Sequence, residues 1–383
     1  MRMDPIVIVG SGLAGYNVAR ELRKLDKALP LTVLSADSAH FYSKPMLSSA
    51  FGSGKLPASI PMSNAEQMAT QIAAEVRAGV RVKAIDVDQH SIDLGNERLS
   101  YSKLVLALGA DQIRLPLDGS AADRVMTVND YDDYLRFRAA IPDKHTVAVI
   151  GAGLIGCEFS NDLTTAGHQV HVIDIAAYPL SRLLVPEGGA LLQQKLAALG
   201  VIWHLNTSVS AVDARGAGVV VTLTGGAQFD ADIVLSAIGL RPRTALAEAA
   251  GLKINRGIVV DRHLQTSAPD VYALGDCAEV NGLVLPYVMP IMHSARALAA
   301  TLAGKVTPVA YPAMPVLVKT PACPTIVAPP PVDAQGAWTV TVGEDSVKAL
   351  FNDASGRLLG FGLNGKATAE RAALTQQLPP VLG

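Results

Sequence analysis

Apolar positions along this chain alternate between two spacings. The β-rich runs Pro5–Val9 and Leu31–Leu34 flank a stretch from Leu13 to Lys27 in which Val18, Leu22 and Leu25 recur at helical intervals. The same order returns as a strand at Thr146–Ile150, a helix at Leu154–Ala166 and a strand at Gln169–Ile173. Strand, helix and strand in succession build parallel sheets, so two modules of one architecture are predicted. Between them, Val80–Leu94 and Leu99–Ala107 read as short strands of a meander. Ser294–Ala303 is an alanine-rich packing helix. Prolines crowd Val306–Pro331 and mark a boundary with an extended path. Beyond it, Trp338–Val342, Val347–Phe351 and Leu358–Leu363 read as antiparallel strands, and Ala367–Gln377 as a closing helix.

Composition narrows the class. The 383 residues exceed the ~250–300 that one core supports, so more than one domain is expected. Half the residues are hydrophobic and 17% charged, which argues against disorder. One long run without Asp, Glu, Lys or Arg is Val280–Ala295, 16 residues with Pro286 and Pro290 inside it. A spanning helix needs about 18 or more apolar residues, so none is expected. Ile6–Val9 is one strand long, which does not fit a signal peptide, and a cytoplasmic protein is expected. The net charge of −2 comes with no basic run, so nucleic acid is not an expected partner. Cys157, Cys277 and Cys323 lie too far apart for a zinc or C-x-x-C site and read as small buried side chains. His40, His171, His204 and His293 lack metal-ligand spacing, and Ser48, Ser160 and Ser294 lack a G-x-S-x-G context.

Chemistry enters with two glycine motifs. Gly10-Ser11-Gly12-Leu13-Ala14-Gly15 sits between the first strand and helix. Gly10 permits the tight turn, Gly12 lets backbone approach a pyrophosphate, and Gly15 allows close helix–strand contact; the helix N-terminus attracts the anion. Gly151-Ala152-Gly153-Leu154-Ile155-Gly156 repeats the arrangement. Asp174 follows 18 residues after Gly156, where an acid accepts from a ribose 2′-OH. A carboxylate there repels a 2′-phosphate, and no Arg or Lys follows until Arg182, so NADH is favoured over NADPH. In the first module the matching position is Ser35, able to offer one hydrogen bond to a ribose, with Asp37 close by.

A third element, Val271-Tyr272-Ala273-Leu274-Gly275-Asp276, is a strand ending in Gly-Asp. With these motifs the chain resembles, over nearly its whole length, the pyridine nucleotide–disulfide oxidoreductases, two-dinucleotide flavoproteins of the glutathione reductase fold. The likeness includes Ala107-Leu108-Gly109-Ala110, where the chain leaves the first module, and Ala237-Ile238-Gly239-Leu240-Arg241-Pro242, where it returns. It implies an α/β fold of two Rossmann-like modules and a small α+β carboxy-terminal domain. By resemblance, residues 1–110 and 240–305 hold FAD, 111–239 hold NADH, and 306–383 form the last domain. Asp276 would contact the ribityl–phosphate region.

The resemblance also narrows the branch. Disulfide reductases carry a Cys pair where this chain reads Tyr42-Ser43-Lys44-Pro45-Met46-Leu47-Ser48, and the peroxidase and oxidase branch places a redox cysteine near Ser48. That string and Val318-Lys319-Thr320-Pro321-Ala322-Cys323-Pro324 are similar to the branch that reduces rubredoxin and flavorubredoxin. Oxygenase-type ferredoxin reductases usually have a longer tail. The implied activity is transfer of electrons from NADH through FAD to rubredoxin, serving alkane hydroxylation or oxygen detoxification. Flavorubredoxin or a ferredoxin is the alternative acceptor, and a slow-turnover NADH-binding interaction protein is the alternative class. The implied site pairs Lys44 with Glu158 beside the flavin and brings Lys319 in from the tail. Val82 would touch adenine and Val288 the flavin ring, both through backbone groups.

Overall fold

The computed structural model describes residues 4–141 and 145–383; residues 1–3 of the expected first module and 142–144 of the second lie outside the described residues. The first sheet runs in the order Val271–Ala273, Lys103–Leu106, Ile6–Val9, Leu31–Leu34, Glu75–Arg77, all parallel. Ile6–Val9 and Leu31–Leu34 are buried at every position. A strand covered on both faces has no reason to alternate. Helix Leu13–Leu25 lays Tyr16, Val18, Ala19 and Leu22 inward and packs against helix Val288–Leu302. It stops short of Lys27 because Asp26 turns extended and its carboxylate accepts from the N–H groups of Ala28 and Leu29 at 2.7 and 3.0 Å.

The second sheet is also parallel, in the order Ile202–His204, Gln169–Ile173, Thr146–Ile150, Ile233–Ser236. Helix Leu154–Thr165 follows its glycine turn. A three-stranded antiparallel sheet, Val209–Arg215, Gly218–Leu223 and Gln228–Ala231, is inserted before the last strand. Where the chain crosses between sheets and returns, Ala110–Gln112 pairs antiparallel with Leu240–Pro242.

Three expectations are corrected. Leu99–Ala107 is not one strand: Arg98–Ser100 closes a meander with Ala84–Asp86 and Ser91–Asp93, and Lys103–Leu106 joins the parallel sheet. The break falls at Tyr101 and Ser102, whose N–H groups donate to His90 and Pro5, one in each sheet's surroundings. The proline-rich segment is not merely extended, since Val316–Val318 and Thr325–Ala328 enter the carboxy-terminal sheet. Its order is Val316–Val318, Thr325–Ala328, Leu358–Gly365, Ser346–Asn352, Ala337–Gly343. The closing helix is a 3-10 turn at Lys366–Glu370 followed by one short helix, Arg371–Thr375. The chain leaves its strand at Gly365 with φ near 60° and winds tightly at once; Pro379 and Pro380 lie just beyond the helix and cannot continue it.

One apolar core surrounds the first sheet. A second is shared: Val318, Cys323, Val327 and Val347 of the tail pack into the same cluster as Val147, Leu163 and Val172 of the second module and Leu47 of the first. That shared core carries the tail's residue 319 against helix Leu154–Thr165. All three cysteines are buried and free. No described helix is long and apolar enough to cross a membrane.

Candidate functional site

The two glycine loops have the same geometry. Gly10 has φ 119°, and a Cβ there would lie 2.1 Å from the Ala107 carbonyl oxygen. Gly151 has φ 106°, and its Cβ would lie 2.7 Å from that of Ala237. Added at Gly15 or Gly156, a Cβ would fall 1.8 Å from the carbonyl oxygen of Gly10 or Gly151. Gly12 and Gly153, by contrast, face open space, with nothing within 4 Å. The first and last glycines are therefore required by the protein's own packing, and the middle one leaves its backbone open to the cleft.

Both loops open on one cleft of about 2460 Å³. A pocket for one small ligand is roughly 300–1,000 Å³, so this one has room for more than one. From the first module Gly10, Ser11, Gly12, Leu13, Ala14 and Ser35 line it, with Val82, Ala107 and Gly109. From the second come Gly151, Gly153, Leu154, Ile155, Glu158, Asp174 and Gly239. Lys44, Asp276, Val288 and Lys319 also face it. Gly15, Gly156 and Gly275 stand behind the wall. Gly275, with φ 77°, backs onto Ala14, whose Cβ a side chain would approach to 2.9 Å.

The expected Lys44–Glu158 pair is not formed. Glu158 is 1% exposed and is held instead by Lys319 from the tail. The Lys319 ammonium bonds its Oε2, and the Lys319 backbone N–H donates to Oε1 at 3.0 Å. The Ser48 hydroxyl donates to Oε2 at 2.6 Å and accepts from Lys319 Nζ at 2.7 Å. Lys44 opens the 3-10 turn Lys44–Ser49, which turns Ser48, one winding later, toward the glutamate. Lys44 itself donates to Asn129 Oδ1 at 2.8 Å, and Asn129 donates on to the Ala110 carbonyl at 2.8 Å. Burial drives the Lys44 ammonium below its ordinary value, and the charge of Asp276 resists. Burial likewise raises the Asp276 carboxyl, with Lys44 opposing. Lys44 and Asp276 thus form an electrostatic couple across the first module.

Helix Leu154–Thr165 is a docking post beyond Glu158. Asn161 Oδ1 accepts from Ala322 N–H at 3.0 Å, which ties the tail. Buried Asp162 accepts from Phe51 and Gly52 N–H at 2.9 and 2.8 Å, which ties the segment after Ser48. Asn129, Asn161 and Asp162 belong to no motif, so nothing local in the sequence announced them. Arg243 donates to Asp111 at 2.6 Å, across the paired crossing strands.

The second module closes its second strand on an acid. Asp174 Oδ2 accepts from Ala152 N–H at 2.5 Å, and Oδ1 from Ala176 N–H at 2.7 Å. Ser35 does not stand alone in the first module: its hydroxyl donates to Asp37 Oδ1 at 2.5 Å and lies 2.6 Å from the Ser11 hydroxyl.

Residues 4–300 match the pyridine nucleotide-disulphide oxidoreductase family. The chain belongs to that family. Residues 308–378 of this oxidoreductase match the rubredoxin binding C-terminal domain. It is 49% identical over 381 residues to the rubredoxin-NAD(+) reductase of Alcanivorax borkumensis, covering 99% of this chain and 100% of that one. It is 37% identical to the nitric oxide reductase FlRd-NAD(+) reductase of Escherichia coli, covering 98% and 99% of the two chains. Among solved structures it is similar to the ferredoxin reductase for the CYP199A2 system from Rhodopseudomonas palustris. That match has a TM-score of 0.87 and 28% identity over 98% of this chain and 95% of that one. The oxidoreductase therefore carries the family's two-loop cleft together with a tail of separate type, and Lys319 is where the two meet.

Proposed function

We propose that this chain is an NADH-dependent FAD flavoprotein that passes electrons to rubredoxin. One observation carries the reading: the segment matching a rubredoxin binding domain sends Lys319 into the same cleft that both glycine loops line. The residues fit two dinucleotides, because the open faces of Gly12 and Gly153 leave backbone free for two pyrophosphates. FAD would occupy residues 1–110 and 240–305, NADH 111–239, and residues 306–383 would receive the carrier.

When bound, FAD would supply the redox chemistry, hydride acceptance from reduced nicotinamide and one-electron release to the carrier, between the residues that line the cleft. The protein contributes orientation and electrostatics. The loop at Gly10–Gly15 holds one pyrophosphate and that at Gly151–Gly156 the other. Asp174 selects NADH by accepting a ribose hydroxyl and repelling a 2′-phosphate. Lys44, Lys319, Glu158 and Asp276 set the charge around the isoalloxazine, while the backbones at Val82 and Val288 flank the cofactor. Such an enzyme would work in the cytoplasm and serve alkane hydroxylation or oxygen detoxification. The FlRd-NAD(+) reductase relative favours a second acceptor, flavorubredoxin.

Anaerobic stopped-flow mixing with NADH tests the proposal. Fast flavin bleaching, then fast reoxidation on adding oxidised rubredoxin, is expected. Bleaching without a response to rubredoxin would remove the acceptor assignment. Absence of bleaching would remove the reductase and leave an NADH-binding interaction protein.

A further inference from the structure

Two lysines reach the cleft, and their charges are handled differently. The Lys319 ammonium is bonded to the Glu158 carboxylate and the Ser48 hydroxyl, so its charge is matched where it sits. Lys44 has no such partner. Among the described residues no carboxylate forms an ion pair with it, and its acceptor is the neutral amide oxygen of Asn129, at 2.8 Å. Asp276, Asp130 and Asp133 act on it through space, with Arg243 opposing them.

The bond between Lys44 and Asn129 is held from both ends. Asn129 is buried, and its amide has one workable orientation. Nδ2 donates to the Ala110 carbonyl at 2.8 Å, which an amide oxygen could not do, so Oδ1 faces the ammonium. The Asn129 N–H donates to Asp133 Oδ2 at 2.9 Å, which fixes its backbone on the first turn of helix Tyr131–Ala140. Two residues on, Tyr131 N–H donates to the Tyr42 hydroxyl at 3.0 Å, and Tyr42 lies two residues before Lys44. Residues 42 and 44 are thus tied to 131 and 129, and Ala110 adds the strand by which the chain leaves the first module. An ionised aspartate at 129 would match the lysine's charge but could donate nothing to the Ala110 carbonyl.

We propose that Asn129 is a positioning residue for Lys44: it holds the ammonium at the cleft through a neutral acceptor, so that Lys44, rather than the Lys319 bonded to Glu158, presents the cofactor with a cation lacking a bonded counter-charge. The inference rests on reading the cleft as the FAD site. A flavin gains negative charge on reduction, so such a cation favours the reduced form.

The flavin midpoint potential of the FAD-loaded protein tests this, read by anaerobic spectroelectrochemical titration. Lys44→Met should displace the equilibrium toward oxidised flavin by roughly 10- to 100-fold, the effect of one nearby charge, or about 30–60 mV for a two-electron couple. Asn129→Asp keeps the acceptor and adds the counter-charge, so it should displace the equilibrium the same way by roughly 10-fold or more. Asn129→Ala removes the anchor without adding charge and should displace it less. In a Lys44→Met background Asn129→Asp should add nothing, because a buried carboxyl without a bonded cation stays protonated. Lys319→Met combined with Glu158→Gln leaves the net charge unchanged and should move the potential far less than Lys44→Met. Equal shifts in Asn129→Ala and Asn129→Asp would reduce Asn129 to a structural role and overturn the proposal. So would a shift on losing the Lys319–Glu158 pair as large as that of Lys44→Met, a comparison that stands even if no Asn129 variant folds. A wild-type protein that takes up no FAD would overturn the reading of the cleft, a separate result.

Discussion

Replacing Lys319 with Met strands a carboxylate that has almost no access to water. Glu158 is 1% exposed and the Lys319 side chain 27%. Two donors would remain, the Ser48 hydroxyl at 2.6 Å and the residue-319 backbone N–H at 3.0 Å. An ionised carboxylate has about four acceptor sites, so half of them would go unfilled. Breaking a buried pair from one side costs about 3–5 kcal/mol. The lysine's partial exposure draws the figure to the lower end, about 3 kcal/mol, or ~6 °C in melting temperature at roughly 2 °C per kcal/mol. Adding Glu158→Gln removes the stranded charge, so the double variant should regain about 2 kcal/mol. Calorimetry on the apoprotein of all four chains completes the cycle. A Lys319→Met deficit below ~1 kcal/mol, or costs that simply add in the double variant, would show the pair to be solvated and the argument wrong.

Gly15→Ala should destabilise the apoprotein severely, because its Cβ would lie 1.8 Å from a carbonyl oxygen; Gly12→Ala should leave apoprotein melting unchanged and weaken FAD binding instead. Calorimetry and FAD titration of the same two variants separate these effects. Asp174→Ala should raise the dissociation constant for NADH by roughly 10- to 100-fold and that for NADPH by less; equal losses by titration calorimetry would take Asp174 out of the ribose site. His171 Nδ1 lies 2.9 Å from His204 Nε2, and both rings stack on Phe229. Burial lowers both imidazoles below 6.5, with His204 adding to the effect on His171. The unfolded chain then binds more protons below that pH, so stability should fall as pH drops from about 6.5 toward 5. His204→Gln should flatten the dependence of the urea midpoint on pH over that window.

Local features of this protein were legible in its amino-acid order because their causes are local. A steric conflict between Gly15 and Gly10 involves residues close in sequence, and the motif records it directly; the buried strand Ile6–Val9 is apolar at every position, which its own four residues show. Both βαβ openings and the glycine loops that line the cleft followed from such patterns. Even the class of the tail could be inferred from two short strings. Partners were another matter. The resemblance paired Glu158 with Lys44, and only packing of the tail into the second module's core put Lys319 and Ser48 there instead. That choice joins positions 161 residues apart, a separation over which no local periodicity operates. Asp37 illustrates the same limit at short range. Its place beside Ser35 and Ser11 depends on a loop clamped by residues 79 and 80. Hydrogen-bond donors and acceptors are fixed by composition, but their pairing follows from burial, which belongs to the folded chain as a whole.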